Sequence, residues 1–152
     1  MRMSRLPFLL PALVLSLVGS APAQSCAGAT GTLTVTPDAC VQPGDTISID
    51  SCGASGAIAL LAVSESAGST TIGPFGPFPA VTLCVGEPFV ILPLGFTGAD
   101  GCAGFDLTIP PGATLPGDVN LVLQGVFIDF NFTPPSGLSF TVVTTNTDTL
   151  CL

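Results

Sequence analysis

Residues 31–51 read GTLTVTPDACVQPGDTISIDS, and the spacing of their apolar side chains sets the fold class. Leu33 and Val35 alternate with Thr32, Thr34 and Thr36; Ile47 and Ile49 alternate with Thr46, Ser48 and Asp50. A period of two puts each apolar pair on one face of an extended strand, whereas an amphipathic helix needs a period near 3.6. Pro37 and Asp38 end the first run, and Gln42-Pro43-Gly44-Asp45 is a turn before the second. Two half-buried strands, 31–36 and 46–51, are expected.

The rest of the chain follows the same grammar of short apolar runs between turn residues. Ile58 to Ser64 is continuously apolar, and Gly53, Gly56 and Gly68 hold it to strand length, so it reads as a buried strand with Thr70–Ile72 as a further edge. Val81–Val85 and Phe89–Phe96 are the next strands; Val90, Leu92, Leu94 and Phe96 are expected on one face, and Pro93 marks an edge strand or a bulge. Thr97 to Gly101 reads as a hairpin turn into Phe105, Leu107 and Ile109, which alternate with Asp106 and Thr108. Pro110 to Gly117 turns the chain again. Val119–Phe130 is the most apolar run and is expected at the centre of its sheet. Leu138–Val143 then closes the fold, with Leu138, Phe140 and Val142 facing inward. Seven to nine short strands of this kind make an all-β protein, an antiparallel immunoglobulin-like β-sandwich.

Residues 73–79, GPFGPFP, contain three prolines that cannot donate to a ladder, so they form an extended loop between sheets. Phe75 and Phe78 on that loop either plug the end of the core or stand as a ligand patch. Lone aromatics in proline-rich crossovers usually pack down, which favours the plug. Asn131-Phe132-Thr133 has the form of a glycosylation sequon, but Pro134 after it disfavours modification and an ordinary turn is preferred.

The N-terminus has Arg2 and Arg5, an apolar run from Leu6 to Val18, and small residues up to Ala21-Pro22-Ala23. That order is a secretory signal peptide over residues 1–23, cut before Gln24, leaving 24–152 as one domain. The run is shorter than the roughly 20 residues a membrane helix needs, so no membrane span is expected. A lipoprotein signal acting through Cys26 fits less well, because Ala23, Gln24 and Ser25 are not the residues such a signal places before its cysteine.

Removal of that segment takes away both basic residues and leaves ten carboxylates with no Lys, Arg or His. Nucleic-acid binding needs cations to displace counterions from phosphates, and attraction to anionic lipid needs them too. Serine or cysteine nucleophiles lack a base, phosphoryl transfer lacks its clamps and zinc hydrolysis lacks its histidines. Gly53-Ala54-Ser55-Gly56 lacks the spacing of a nucleophile elbow and reads as a turn. Glycoside hydrolysis by two carboxylates alone survives this filter, but a small sandwich offers little room for a deep cleft. No enzyme activity and no cofactor are expected.

Cys26, Cys40, Cys52, Cys84, Cys102 and Cys151 all follow the cut, an even set that reads as three disulfides formed in an oxidising compartment. No Cys-x-x-Cys spacing suggests a metal or redox role. Fifteen pairings are open to six cysteines, and spacing does not choose among them.

Several elements together resemble a family of secreted bacterial β-sandwich modules with no assigned activity. They are the opening Cys26-Ala27-Gly28-Ala29-Thr30-Gly31, the strand motif Ala59-Leu60-Leu61, the Pro and Gly stretch before Cys84, Leu107-Thr108-Ile109-Pro110, Leu121-Val122-Leu123-Gln124-Gly125 with Asp129, and Gly137-Leu138-Ser139. The likeness covers nearly all of residues 24–152. It implies a Cys26–Cys84 bridge; Cys40 with Cys52 and Cys102 with Cys151 would complete the set.

Three functions compete. The first is a non-catalytic structural or interaction module of the cell surface, periplasm or surrounding medium, with an extracellular protein or glycan as partner. A carbohydrate-binding module is the second; the chain has no Trp or Tyr, so Phe75, Phe78, Phe130 and Phe132 would have to stack on sugars. The third is calcium binding by Asp45, Asp100 and Asp118, although no Asp-x-Asp-x-Asp loop gathers the six to eight oxygens required and solvated surface acids are the simpler reading. Mass spectrometry and thiol titration of the exported protein should find a chain starting at Gln24 with no free thiol. A chain starting at Met1, or six free thiols, would overturn the account of export and oxidation.

Overall fold

The computed structural model describes residues 28–117, 119–134 and 137–152. The predicted signal peptide, Cys26 and Asp118 lie outside the described residues. Within them the chain is all-β, with nine strands: β1 (Thr32–Thr36), β2 (Thr46–Cys52), β3 (Ile58–Ser64), β4 (Ala67–Ile72), β5 (Val81–Val85), β6 (Phe89–Phe96), β7 (Cys102–Thr108), β8 (Asn120–Thr133) and β9 (Gly137–Cys151). The ladders are antiparallel, in sheets ordered β1-β2-β7, β6-β3-β8-β9 and β4-β5. β8 and β9, at 14 and 15 residues, are not short, and β9 runs on to Cys151 where a stop at Val143 was expected.

The four-stranded sheet is the middle layer of three. Leu61 of β3 and Leu123 of β8 point inward, into a cluster with Leu33, Val35, Ile47 and Ile49 from the β1-β2-β7 sheet. Ala62 and Val126, on the opposite face of the same strands, pack against Leu83 and Val85 of the β4-β5 ribbon. Burial on both faces accounts for the unbroken apolar run of β3, whereas β1 and β2, covered on one face only, keep strict alternation.

Two bulges set which side chains meet which layer. Opposite Ala59 and Leu60, β6 presents Gly95 and Pro93, so Leu94 is an extra residue that swings into the core. The four side chains expected on one face are therefore split: Val90 and Leu92 pair with Val63 and Leu61 on the inner face, while Phe96 pairs with Ile58 on the outer. In β9 the register slips between Gln124 and Val126 of its partner, leaving Thr145 and Asn146 to turn toward β1.

That slip closes one side of the sandwich. The Asn146 side chain behaves like a piece of strand, accepting a hydrogen bond from Leu33 N at 2.8 Å and donating to Leu33 O at 3.1 Å. Asp148 Oδ2 accepts from Val35 N at 2.9 Å. A buried glutamine extends the link across the remaining layer: Gln124 Oε1 accepts from Cys84 N of β5 at 2.8 Å and its Nε2 donates to Thr145 O at 2.9 Å. On the other side β6 and β7 are both edge strands, and the inner-facing Val90, Leu92, Phe105 and Leu107 stay exposed. Pro93 and the bulge beside it blunt the β6 edge against pairing with another chain.

Thr97 to Gly101 is not a hairpin turn. It carries the chain from the middle sheet to the β1-β2-β7 sheet, held by Gly101 N donating to Gly98 O and Gly98 N to Cys102 O, with Gly101 at φ +77°.

The disulfides correct the two pairs expected to complete the set, Cys40 with Cys52 and Cys102 with Cys151. Cys52 bonds Cys102, because the β2–β7 register sets these two residues directly opposite each other. Cys40 bonds Cys151, where Val41 N donates to Cys151 O and brings the 37–45 connection to the end of β9. Cys84 is disulfide-bonded as well, and the partner expected for it, Cys26, is outside the described residues. Such bonds fit an oxidising environment.

Replacing Gln124 by Leu keeps the volume but orphans two buried backbone groups. Each orphan costs about 1–3 kcal/mol, so urea denaturation of Gln124→Leu should show a loss of about 2–5 kcal/mol. A loss below about 1 kcal/mol would show that the glutamine does not tie the layers together.

Candidate functional site

In an ordinary two-layer sandwich, side chains alternate between an apolar inner face and a polar outer one. The end of the β8–β9 hairpin reverses this. Ile128, Phe130 and Phe132 of β8 alternate with Asp129 and Asn131, and the register sets them opposite Val142, Phe140 and Leu138 of β9. These six share the outer face with Val126, which packs under the ribbon, while Phe127 and Val143 point inward to Ala57 and Ala59. Leu138, Phe140 and Val142 thus face outward, against the inward orientation expected from the sequence. The alternation of FIDFNF (127–132) and LSFTV (138–142) was visible, but which face would be covered depended on the pairing register.

The β4-β5 ribbon covers only part of this outer face. Beyond it Phe132 is 70% exposed, Leu138 54% and Phe96, across the sheet, 76%. Residues 73–79 bend back over the boundary, with Phe75 and Phe78 exchanging backbone hydrogen bonds (3.2 and 3.0 Å) around Gly76, whose φ of +56° suits the tight turn.

The structure separates the two phenylalanines of the predicted patch. Phe78 packs down, its ring centroid 4.2 Å from that of Phe140, which meets Phe130 edge-on at 5.3 Å. Phe75 stays 65% exposed at the rim. Beneath them is a cavity of about 190 Å3 between the loop, the ribbon and the middle sheet. Its walls are Leu60, Ile72, Phe75, Phe78, Pro79, Val81, Leu83, Ile91, Val126, Ile128 and Val142, all apolar. Of the four phenylalanines considered for stacking, Phe75, Phe78, Phe130 and Phe132 all belong to this region, so the structure gathers residues that the sequence left scattered over 58 positions.

The acids go elsewhere. Asp45 Oδ2 accepts from Gln42 N at 2.8 Å and Asp100 Oδ1 from Cys102 N at 3.2 Å, each within its own turn. These turns sit at opposite ends of β2, whose seven residues span roughly 20 Å at about 3.3 Å each, too far for one ion. Among the described residues no group of three or more His, Cys, Asp or Glu is placed to hold a metal ion, and no helix is long and apolar enough to cross a membrane.

No protein-family model matches the chain, and neither a curated protein nor a solved structure is significantly similar to it.

The differing roles of the two rings can be measured. Phe78→Ala should destabilise the protein by about 1–3 kcal/mol through lost ring packing, and Phe75→Ala should stay within about 0.5 kcal/mol of the parent. Equal losses in urea denaturation would mean that both rings are core.

Proposed function

We infer that the protein is an exported, non-enzymatic interaction module of the cell surface or surrounding medium, and that the uncovered outer face of its middle sheet is the binding surface. One observation carries the reading: the β8–β9 hairpin turns an apolar face to solvent and a polar face toward the interior side. Burying a phenylalanine is worth about 1.5–3 kcal/mol, a gain left unused at Phe132 and Phe75 until a partner covers them. Large exposed apolar patches on a folded domain mark interaction sites. Disulfides and the basic, apolar, small-residue order of the N-terminus support export, and kinship with secreted bacterial modules belongs to the same proposal.

Catalysis has no support in residue types, since no Lys, Arg or His follows Arg5. A flat sugar-stacking platform is a weaker reading, because no side chain lining the cavity could hydrogen-bond a sugar hydroxyl within it.

The test is positional. Benzoylphenylalanine in place of Phe75 or Phe132 of the exported protein should give photo-cross-linked adducts in the producing culture, while the same group at Asp106, on the far side of the molecule, should give few. Equal yields at the three positions would overturn the assignment of this surface.

A further inference from the structure

The cavity beneath Phe75 and Phe78 does not end at its apolar walls. Pro79, Val81 and Val142 also line a shallower groove of about 380 Å3 beside the first half of β9, where Thr82, Thr141 and Thr144 join the lining and the register puts the Thr144 side chain on the same outer face as Phe140 and Val142. A wholly apolar slot thus continues into a hydroxyl-bearing groove, and neither is lined by a charged side chain.

We propose that slot and groove form one site for a free, single-tailed amphiphile: the alkyl tail lies in the slot and an uncharged, hydroxyl-bearing head lies in the groove beside Thr144. The proposal rests on the interaction reading of this face and adds the chemistry of the occupant. The tail assignment follows from the walls, which offer nothing to pair with a buried polar group, and a hydroxyl placed there would lose its hydrogen bonds to water without return. A slot of about 190 Å3 exceeds the ~150 Å3 apolar cavity that takes benzene, which gives room for one short chain and not for two.

The head assignment follows from the groove and from the charge of the chain. Threonine hydroxyls both donate and accept, as do the hydroxyls of a sugar or a glycerol. An anionic head would meet no Lys, Arg or His anywhere beyond Arg5, so its charge would enter the groove unpaired. A cationic head would feel the chain's carboxylates only from outside the groove, where salt screens them over about 8–10 Å.

Calorimetric titration of the exported protein with n-alkyl β-glucosides of increasing length, each below its micelle concentration, tests this. Affinity should rise about three- to fourfold per methylene, then level off once the slot is full. Octanoate at pH 7 should bind at least tenfold more weakly than octyl glucoside. Val81→Trp, which fills the wall common to both cavities, should abolish binding; Thr144→Val, which keeps the shape of a side chain on the groove face, should weaken octyl glucoside severalfold with little change in melting temperature.

Absence of saturable binding by any glucoside, indifference to chain length, octanoate binding as well as the glucoside, or preference for phosphatidylcholine vesicles over monomers would each overturn the proposal. Glucosides failing while cross-links persist at positions 75 and 132 would remove this ligand and leave the interaction reading standing. Loss of both would remove the two together.

Discussion

A sheet that is apolar on both faces must be covered twice, and the architecture of this protein follows from that need. The middle strands β3 and β8 supply Leu61 and Leu123 to one side and Ala62 and Val126 to the other. The β1-β2-β7 sheet covers the first side over most of its breadth. On the second side only the short β4-β5 ribbon is available, and the 73–79 loop extends its reach with Phe78. What the ribbon and loop leave bare is the candidate site, so the surface most suited to binding is a direct consequence of unequal coverage.

Polar groups inside such a stack have to be satisfied without breaking it. A hydrogen-bonded path runs from Cys84 of β5 to the Gln124 amide, on to the Thr145 backbone, and from Asn146 next along the chain to Leu33 of β1, so that it touches all three layers. Gln124 satisfies the Cys84 amide and the Thr145 carbonyl, Asn146 the amide and carbonyl of Leu33, and a satisfied buried network rigidifies what it joins. Among the described residues Ser51 is the exception, a buried hydroxyl with no hydrogen-bond partner there, wedged against Gly125 where even a methyl group would collide. Close packing has prevailed there over polar satisfaction.

The sequence disclosed whatever depends on local period and little of what depends on register. Leu33 and Val35, Ile47 and Ile49, and the span of β6 could be placed because alternation and turn residues act over a few positions. Pro93 likewise announced an edge strand or a bulge, and β6 has both. Faces and partners were different matters. Phe96 left the company of Val90 and Leu92 because one extra residue reverses every side chain beyond it, and the outward turn of Leu138, Phe140 and Val142 is fixed by pairing with β8. The cysteine pairs followed the same logic, since Cys52 and Cys102 are neighbours only through the β2–β7 ladder. For the candidate site, the phenylalanines were conspicuous as residue types, but the contact of Phe78 with Phe140, and of Phe140 with Phe130, joins three separate chain segments, and only Phe75 and Phe78 line the cavity.

Charge explains why the site has the character it does. With no cation after Arg5, the carboxylates cannot form ion pairs among the described residues and instead take neutral donors: Asp148 the Val35 amide, Asp45 the Gln42 amide, Asp106 the Ser48 hydroxyl, Asp129 the Asn131 side chain. These donors lie in turns, at strand edges or on faces other than the bare one, so the acids are drawn away from it. No charged side chain lines the cavity or the groove beside it, so on the proposed interaction reading affinity there comes chiefly from apolar area. Beyond Arg5 the chain has no cation, which leaves shape and hydrophobic burial as the means by which the proposed face would select a partner.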